Sequence, residues 1–436
     1  MTAARSASCV EAAQRQALRA ATGATRLRCV LGAAVAACIL GAASAHAVPL
    51  DQRIPGLFGG LLKVSTQPEI VEPEQLRFAD QFRSLSADLA AARSQSPIPS
   101  ASGAFRFAWD EGLDTFVRGE QSLGPSLAER AQTLGRHIAT LSVAYTHIGF
   151  DTFEGSSLNR LSFSQSALSD DLKGRLSTAE CAKFCGDVLH TRLNLGLSFD
   201  ALFFTAAYGI TDSVDVSMAL SVNQAHMQGT AVTTIENPDG QPGSVFPQKP
   251  GGGLVGPGGR LCASGSNQCA TDGFDANAFG TGDLFLRGKW HFYDTTYADL
   301  AVAGVLTLPT GNADDFLGFH DPTFTPWLIA SKSFGRFSPH LNLGYAFRSG
   351  QDVSQAQWIT GVDVRTTAWL TLAADFLGYH DDKRDGINDD VLQSAVGFKL
   401  NPFGQWVIAG NFQFPLNRDG LRANVIYTGQ IEYTFE

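Results

Sequence analysis

From residue 139 onward, hydrophobic positions recur at every second residue rather than at helical spacing. The clearest stretch runs from Asp283 to Phe292. Leu284, Leu286, Gly288, Trp290 and Phe292 fall on one face, and Asp283, Phe285, Arg287, Lys289 and His291 on the other. Leu189, Leu193, Leu195, Leu197 and Phe199 alternate in the same way with His190, Arg192, Asn194, Gly196 and Ser198, and the chain ends on a similar alternation through Phe435. A period of two is the mark of a strand with unlike faces. It predicts twelve strands, near 139–150, 188–210, 213–224, 282–293, 297–308, 322–333, 338–348, 356–365, 368–379, 390–400, 405–414 and 422–435. In the second, the apolar set changes parity near Asp200, where Leu202, Phe204, Ala206 and Tyr208 take over. A β-bulge is the ordinary cause of such a switch.

The connections separate one β architecture from another. Those at Thr211–Ser213, Asp294–Thr296, Phe334–Phe337, Thr366–Thr367 and Asn401–Gly404 are short. They alternate with longer ones at 151–187, 225–281, 309–321, 349–355, 380–389 and 415–421, rich in Gly, Pro, Asp and Asn. Membrane barrels have tight turns at one end, longer loops at the other and an even strand number, whereas a soluble sandwich has no reason to keep that parity. Tyr208, Phe292, Tyr293, Tyr297, Phe334, Phe337, Trp369, Phe403, Trp406 and Tyr433 all lie near a short turn or the C-terminus. An interfacial aromatic girdle accounts for that clustering. The pattern predicts an all-β fold: a closed antiparallel transmembrane barrel of twelve strands, or fourteen if residues 104–118 join the sheet.

Residues 48–138 follow different rules. Leu76, Ala79, Phe82, Leu85 and Leu89 are helically spaced within Glu74–Arg93 and predict an amphipathic helix. Ala104 to Val117 reads as a small hairpin. Ser126 with Glu129 forms a capping box, which predicts a short helix ended by Gly135. A mostly helical N-terminal region results, either plugging the lumen or covering the mouth of the barrel from the periplasm.

The first residues set the compartment. Arg15, Arg19, Arg26 and Arg28 precede an apolar run from Cys29 to Ala43, followed by Ala45-His46-Ala47. This is the form of a secretory signal peptide cleaved after Ala47, and the run is too short to span a bilayer as an anchor. A lipobox-like Val35-Ala36-Ala37-Cys38 leaves lipidation of Cys38 as the lesser alternative. The expected organisation is signal peptide 1–47, N-terminal region 48–138 and barrel 139–436, placed in the outer membrane of a Gram-negative-type cell. Losing five Arg and one Glu with the signal takes the net charge from −10 to −14. An acidic chain is a poor partner for nucleic acid; the expected partners are outer-membrane lipid, the barrel-assembly machinery and a small solute. Cys181 with Cys185, and Cys262 with Cys269, lie in polar loop sequence of an exported chain and predict two local disulfides rather than a zinc site.

Several segments resemble the phenol-degradation (MetA-pathway) family of outer-membrane barrels, whose members are often labelled transporters. They are SLGPSLAERAQTLGR at 122–136, FDTFEG at 150–155, AAYGITDSVDVSMAL at 206–220, GTGDLFLRGKW at 280–290, LTLPTGN at 306–312, LNLGYAF at 341–347 and LTLAADFLGYHDD at 370–382. The resemblance implies an outer-membrane barrel moving small, often apolar or aromatic compounds, and no catalytic residues. Barrels of this type end on an aromatic, whereas Glu436 follows Phe435 here, so the assembly signal is expected at Tyr433 and Phe435.

Chemistry is sparse. No His-Ser cluster suits a lipid hydrolase, and Lys383 spoils the acidic loop 380–390 as a calcium site. The Gly-rich Pro250–Gly259 lacks the Lys-Ser/Thr of a phosphate loop. No enzyme activity, cofactor or metal is expected. The candidate functional residues are those expected to line the lumen: Arg192, Asp283, Arg287, Lys289, His291, Arg348, Asp363, Arg365, Asp375, Arg422 and Glu432. Their mixed signs suit a lumen laced with ion pairs and water. Two functions remain open, a channel or passive transporter for small molecules and an interaction barrel presenting loops 151–187 and 225–281.

Overall fold

In the computed structural model the described residues are 48–53, 107–110, 115–118, 122–166, 188–236, 272–349, 354–382 and 390–435, with three isolated positions within 174–178. Twelve strands form the wall: β1 (Ala139–Phe153), β2 (Val188–Gly209), β3 (Val214–Glu236), β4 (Asp272–Asp294), β5 (Asp299–Leu308), β6 (Thr323–Ser331), β7 (Phe337–Ala346), β8 (Gln355–Arg365), β9 (Leu370–Asp381), β10 (Asp390–Phe403), β11 (Trp406–Pro415) and β12 (Leu421–Phe435). Each pairs antiparallel with its sequence neighbour, and β12 pairs with β1, from Phe435↔Ala139 to Leu421↔Phe153, closing the barrel. Closure leaves no open sheet edge, the condition for a sheet to stand in lipid. Two short strands, Ser156–Ser157 and Leu161–Ser166, extend the sheet at the long-loop end. Segments Phe107–Asp110 and Thr115–Arg118 pair only with each other, so these two stretches form the expected hairpin and do not join the wall. The signal region, the segment Glu74–Arg93 and all four loop cysteines lie outside the described residues.

The outer surface of the short-turn half is apolar. On β4, Leu286 and Trp290 are exposed, while Arg287 and Lys289 turn inward, Lys289 buried and Arg287 half-buried. Nine of the ten girdle aromatics, from Tyr208 to Trp406, have exposed side chains at the short-turn end, and Tyr433 is half-buried.

The parity switch in β2 has a different cause from the expected bulge. The β2–β3 register runs unbroken from Val188↔Glu236 to Gly209↔Asp215. Odd-numbered residues from Leu193 to Gly209 face inward throughout. What changes is the medium outside. β2, β3 and β4 have 22, 23 and 23 residues, whereas a membrane strand needs about 9–11. In the membrane half, Phe204 and Tyr208 point outward and Thr205 and Ala207 inward. In the projecting half, Leu193, Leu195, Leu197 and Phe199 point inward, packing with Ile148, Leu158 and Leu161. β3 inverts at the same level, from Ser221 and Asn223 inside to Ala225 and Met227 inside. Apolar side chains face out where lipid is outside and in where water is outside. Arg192 is therefore exposed on the outer face of the projecting wall rather than lining the lumen. The register irregularity nearest this level lies between β3 and β4, at Leu220/Val222.

Candidate functional site: a strapped lumen

The segment from Ser122 to Ile138 carries no helix. It runs as an extended strap inside the short-turn end of the barrel, buried from Ser122 to Gly135 except for half-buried Glu129. Its main chain hangs from one wall strand after another. Leu123 N donates to Thr371 Oγ1 at 2.9 Å and Leu127 N to Asp375 Oδ2 at 3.4 Å, both on β9. Glu129 exchanges two bonds with Asn342 on β7: its N donates to Oδ1 at 2.7 Å, and its carbonyl accepts from Nδ2 at 2.9 Å. Ala131 N donates to Ser331 Oγ on β6 at 2.9 Å, and Gln132 Nε2 to Asp299 on β5. On β4, Lys289 Nζ donates to Gln132 O at 2.8 Å. Leu134 N lies 3.2 and 3.1 Å from the two carboxylate oxygens of Asp215 on β3, and His137 N donates to Gly209 O on β2 at 2.8 Å.

The capping-box helix fails here for an identifiable reason. The Glu129 N–H that Ser126 would have capped goes to Asn342, and the Glu129 carboxylate pairs with Arg287. A buried strand of wall acceptors outbids one helical turn, since an isolated short helix is marginal. The segment bends at 126–128 and 131–132, and Leu127, Glu129 and Ala131 dock in turn on β9, β7 and β6. The wall makes room where the strap comes closest: a Cβ on Gly209 would collide with the Gly135 carbonyl oxygen.

Above the strap lies a cavity of about 190 Å³, many times the ~10–15 Å³ that one water requires. Leu127 and Glu129 of the strap border it, and Phe199, Phe203, Phe285, Trp327, Ile359 and Tyr379 supply much of its apolar lining. From the long-loop end, loop 309–321 folds inward. Asp283 accepts from Gly311 N at 3.1 Å and Phe319 N at 2.8 Å, and Asn223 Nδ2 donates to Leu317 O at 2.9 Å. Leu317 and Phe319 thus reach the cavity, with the Arg348 guanidinium 4.8 Å from the Phe319 ring centroid. Buried Leu50 packs among this apolar cluster, its N donating to Asp315 Oδ1 at 3.1 Å.

The structure distributes the remaining expected lumen residues as follows. Asp283, Arg287, Lys289 and Asp375 bind the strap or the inward loop, as above. Asp363 and Asp375 flank buried His340 at 3.5 and 2.6 Å. Arg422 is buried and donates from Nη2 to Leu392 O; Glu432 is buried and Arg365 half-buried. His291 groups with Asp294 and Asp299, ligand atoms within 4.8 Å of one another. The Lys332 ammonium stands against both carboxylates, 2.7 Å from Asp299 and 3.0 Å from Asp294. Those two contacts, Asp299 foremost, raise its pKa. Sequence reasoning missed Asp215, Asp299, Asn342 and Ser331, because their role is set by a segment 81 to 213 residues away. It also missed the apolar cavity wall: Phe199 read as part of the outward apolar face, and Phe285, although on the same face as Arg287 and Lys289, was not singled out because the charged positions were taken as the lining.

These features define a closed twelve-strand barrel with an apolar exterior and a strapped, aromatic-rich lumen. No family model matches the sequence, and no curated protein does. Solved structures do. An outer membrane channel from Pseudomonas putida is 13% identical, covering 70% of this chain and 98% of that one, with a TM-score of 0.41. The KdgM porin is 7% identical over 68% of this chain and 99% of its own, TM-score 0.32. The toluene transporter TbuX of Ralstonia pickettii is 10% identical over 69% and 90%, TM-score 0.33. Likeness at this level carries no argument, and the functional reading rests on the chain's own geometry.

Proposed function

We propose that this chain is a passive outer-membrane channel for small, apolar or aromatic molecules, held shut at its periplasmic end by the strap 122–138. One observation carries the reading: a solute-sized cavity with aromatic walls lies inside the barrel, and a hydrogen-bonded strap lies between it and the short-turn end. A barrel built only as a scaffold would fill that space with side chains, as small barrels do. Short turns and both wall ends share one side, which in outer-membrane barrels is the periplasm. Lumen-lining Asp283, Arg287, Lys289, Arg348, Asp363 and Asp375 act as anchors for strap, loop and one another. Export by the cleaved signal 1–47, assembly through Tyr433 and Phe435, and the loop disulfides Cys181–Cys185 and Cys262–Cys269 belong to the same proposal. Replacing residues 122–135 by a Gly/Ser segment of equal length should raise single-channel conductance while the barrel keeps its heat-modifiable gel mobility. If both forms fold and neither conducts ions nor admits small aromatic solutes, the channel reading fails. The interaction-barrel reading would then stand, favoured by the wall that β2, β3 and β4 project beyond the membrane.

A further inference from the structure

Trp327 on β6 and Gly344 on β7 are direct cross-strand partners. Trp327 borders the central cavity. A Cβ on Gly344 would stand 2.7 Å from Cδ2 and Cε3 of the indole and 2.9 Å from Cε2. Those atoms surround the bond shared by the two rings, so the indole lies flat over the glycine backbone. Any side chain at position 344 must lift it. Behind the glycine is only the barrel wall, so the ring can move in one direction, into the cavity. Glycine weakens the interior of a strand and has no side chain to pack, and a position covered by an aromatic ring is where a sheet tolerates it.

We infer that the Gly344–Trp327 pair sets the width of solute the cavity admits, with the free face of the indole serving as the platform on which a flat aromatic ring stacks. This rests on the channel reading above. The flat-lying indole leaves cavity volume that an upright ring would fill, and its cavity-side face presents π density near Phe285 and Ile329 in the same lining. Offset stacking of rings is the favoured geometry for such a face. Neither residue is a hydrogen-bond anchor of the strap, although Trp327 packs against the cluster that holds strap residue Ala131, so uptake of glycine serves as the control for a disturbed strap.

The test uses full-length protein in proteoliposomes at pH 8, with glycine, benzoate and 2-naphthoate as solutes that cross lipid slowly. Gly344→Val should cut 2-naphthoate uptake by about tenfold or more relative to glycine, the scale of discrimination that one or two methyl groups give in an apolar pocket. Benzoate should fall less, and Trp327→Leu in the Gly344→Val background should restore 2-naphthoate. The tryptophan emission missing from Trp327→Leu should respond to 2-naphthoate in the wild type and lose that response in Gly344→Val. If Gly344→Val does not fold, Gly344→Ala replaces it, with a smaller effect in the same direction. An unchanged uptake ratio or an unchanged emission response in a folded variant overturns the inference. If the wild type admits none of the three solutes, the channel reading fails, and the emission titration still decides whether the pair is a ring-binding platform.

Discussion

Replacing Asp215 with Asn removes one negative charge from the point where the strap meets β3 and leaves the side chain's shape intact. In the closed lumen that carboxylate accepts from Leu134 N at 3.1 and 3.2 Å and stands 3.4 Å from Lys289 Nζ. Lys289 also donates to the strap carbonyl of Gln132 at 2.8 Å, so strap, lysine and carboxylate form one unit. Both side chains are almost fully buried, 3% and 7% exposed, and water replaces the strap only when it lifts away. A hydrogen bond to a charged group contributes about 1.5–3 kcal/mol. Asn retains an acceptor for Leu134 but not the charge, so the closed state should lose roughly that amount relative to the open one. At ~1.4 kcal/mol per decade, the open fraction rises about 10- to 150-fold. Planar-bilayer recordings read this as open probability. A cysteine placed at Ala131, a fully buried strap residue packed against the wall, should react with maleimide faster by a similar factor in the Asn variant. If Asp215→Asn folds and changes neither open probability nor labelling rate, the strap is not held by this carboxylate and the anchoring argument is wrong.

Gly209→Val should act in the same direction by sterics alone, displacing the Gly135 carbonyl and raising conductance in a barrel that still migrates as folded when unheated. Leu286→Arg, on the lipid face, should destabilise the barrel by roughly 2–4 kcal/mol near the bilayer midplane, read by urea unfolding in vesicles; Lys289→Gln, which keeps a polar partner for Asp215, should cost less of that stability and loosen the strap instead. Reversal of those two effects would mean that β4 faces the other way. Non-reduced peptide mapping of protein from the outer membrane should show Cys181 bridged to Cys185 and Cys262 to Cys269, and four free thiols would refute the local pairing.

Alternation and connection length, both local properties, determined the strand number, the antiparallel order and the inward turn of Arg287 and Lys289 beside outward Leu286 and Trp290. They could do so because a strand's side-chain period is fixed by backbone geometry and lipid demands one apolar face. The same rule misread β2. Leu193 to Phe199 and Phe204 to Tyr208 carry identical local signals, and only the height of the wall above the membrane decides which set faces inward. Arg192 was misplaced for that reason. The strap shows the limit from the other side. Ser126, Glu129 and Gly135 are a coherent helix signal taken alone, but Asn342, Asp375, Ser331 and Asp215, distant in sequence, offer its N–H groups better partners than one helical turn can. The sequence by itself determined that this chain closes a sheet with a greasy outside. Only the tertiary structure decided what the inside holds, because occupancy of a lumen depends on which distant groups converge there.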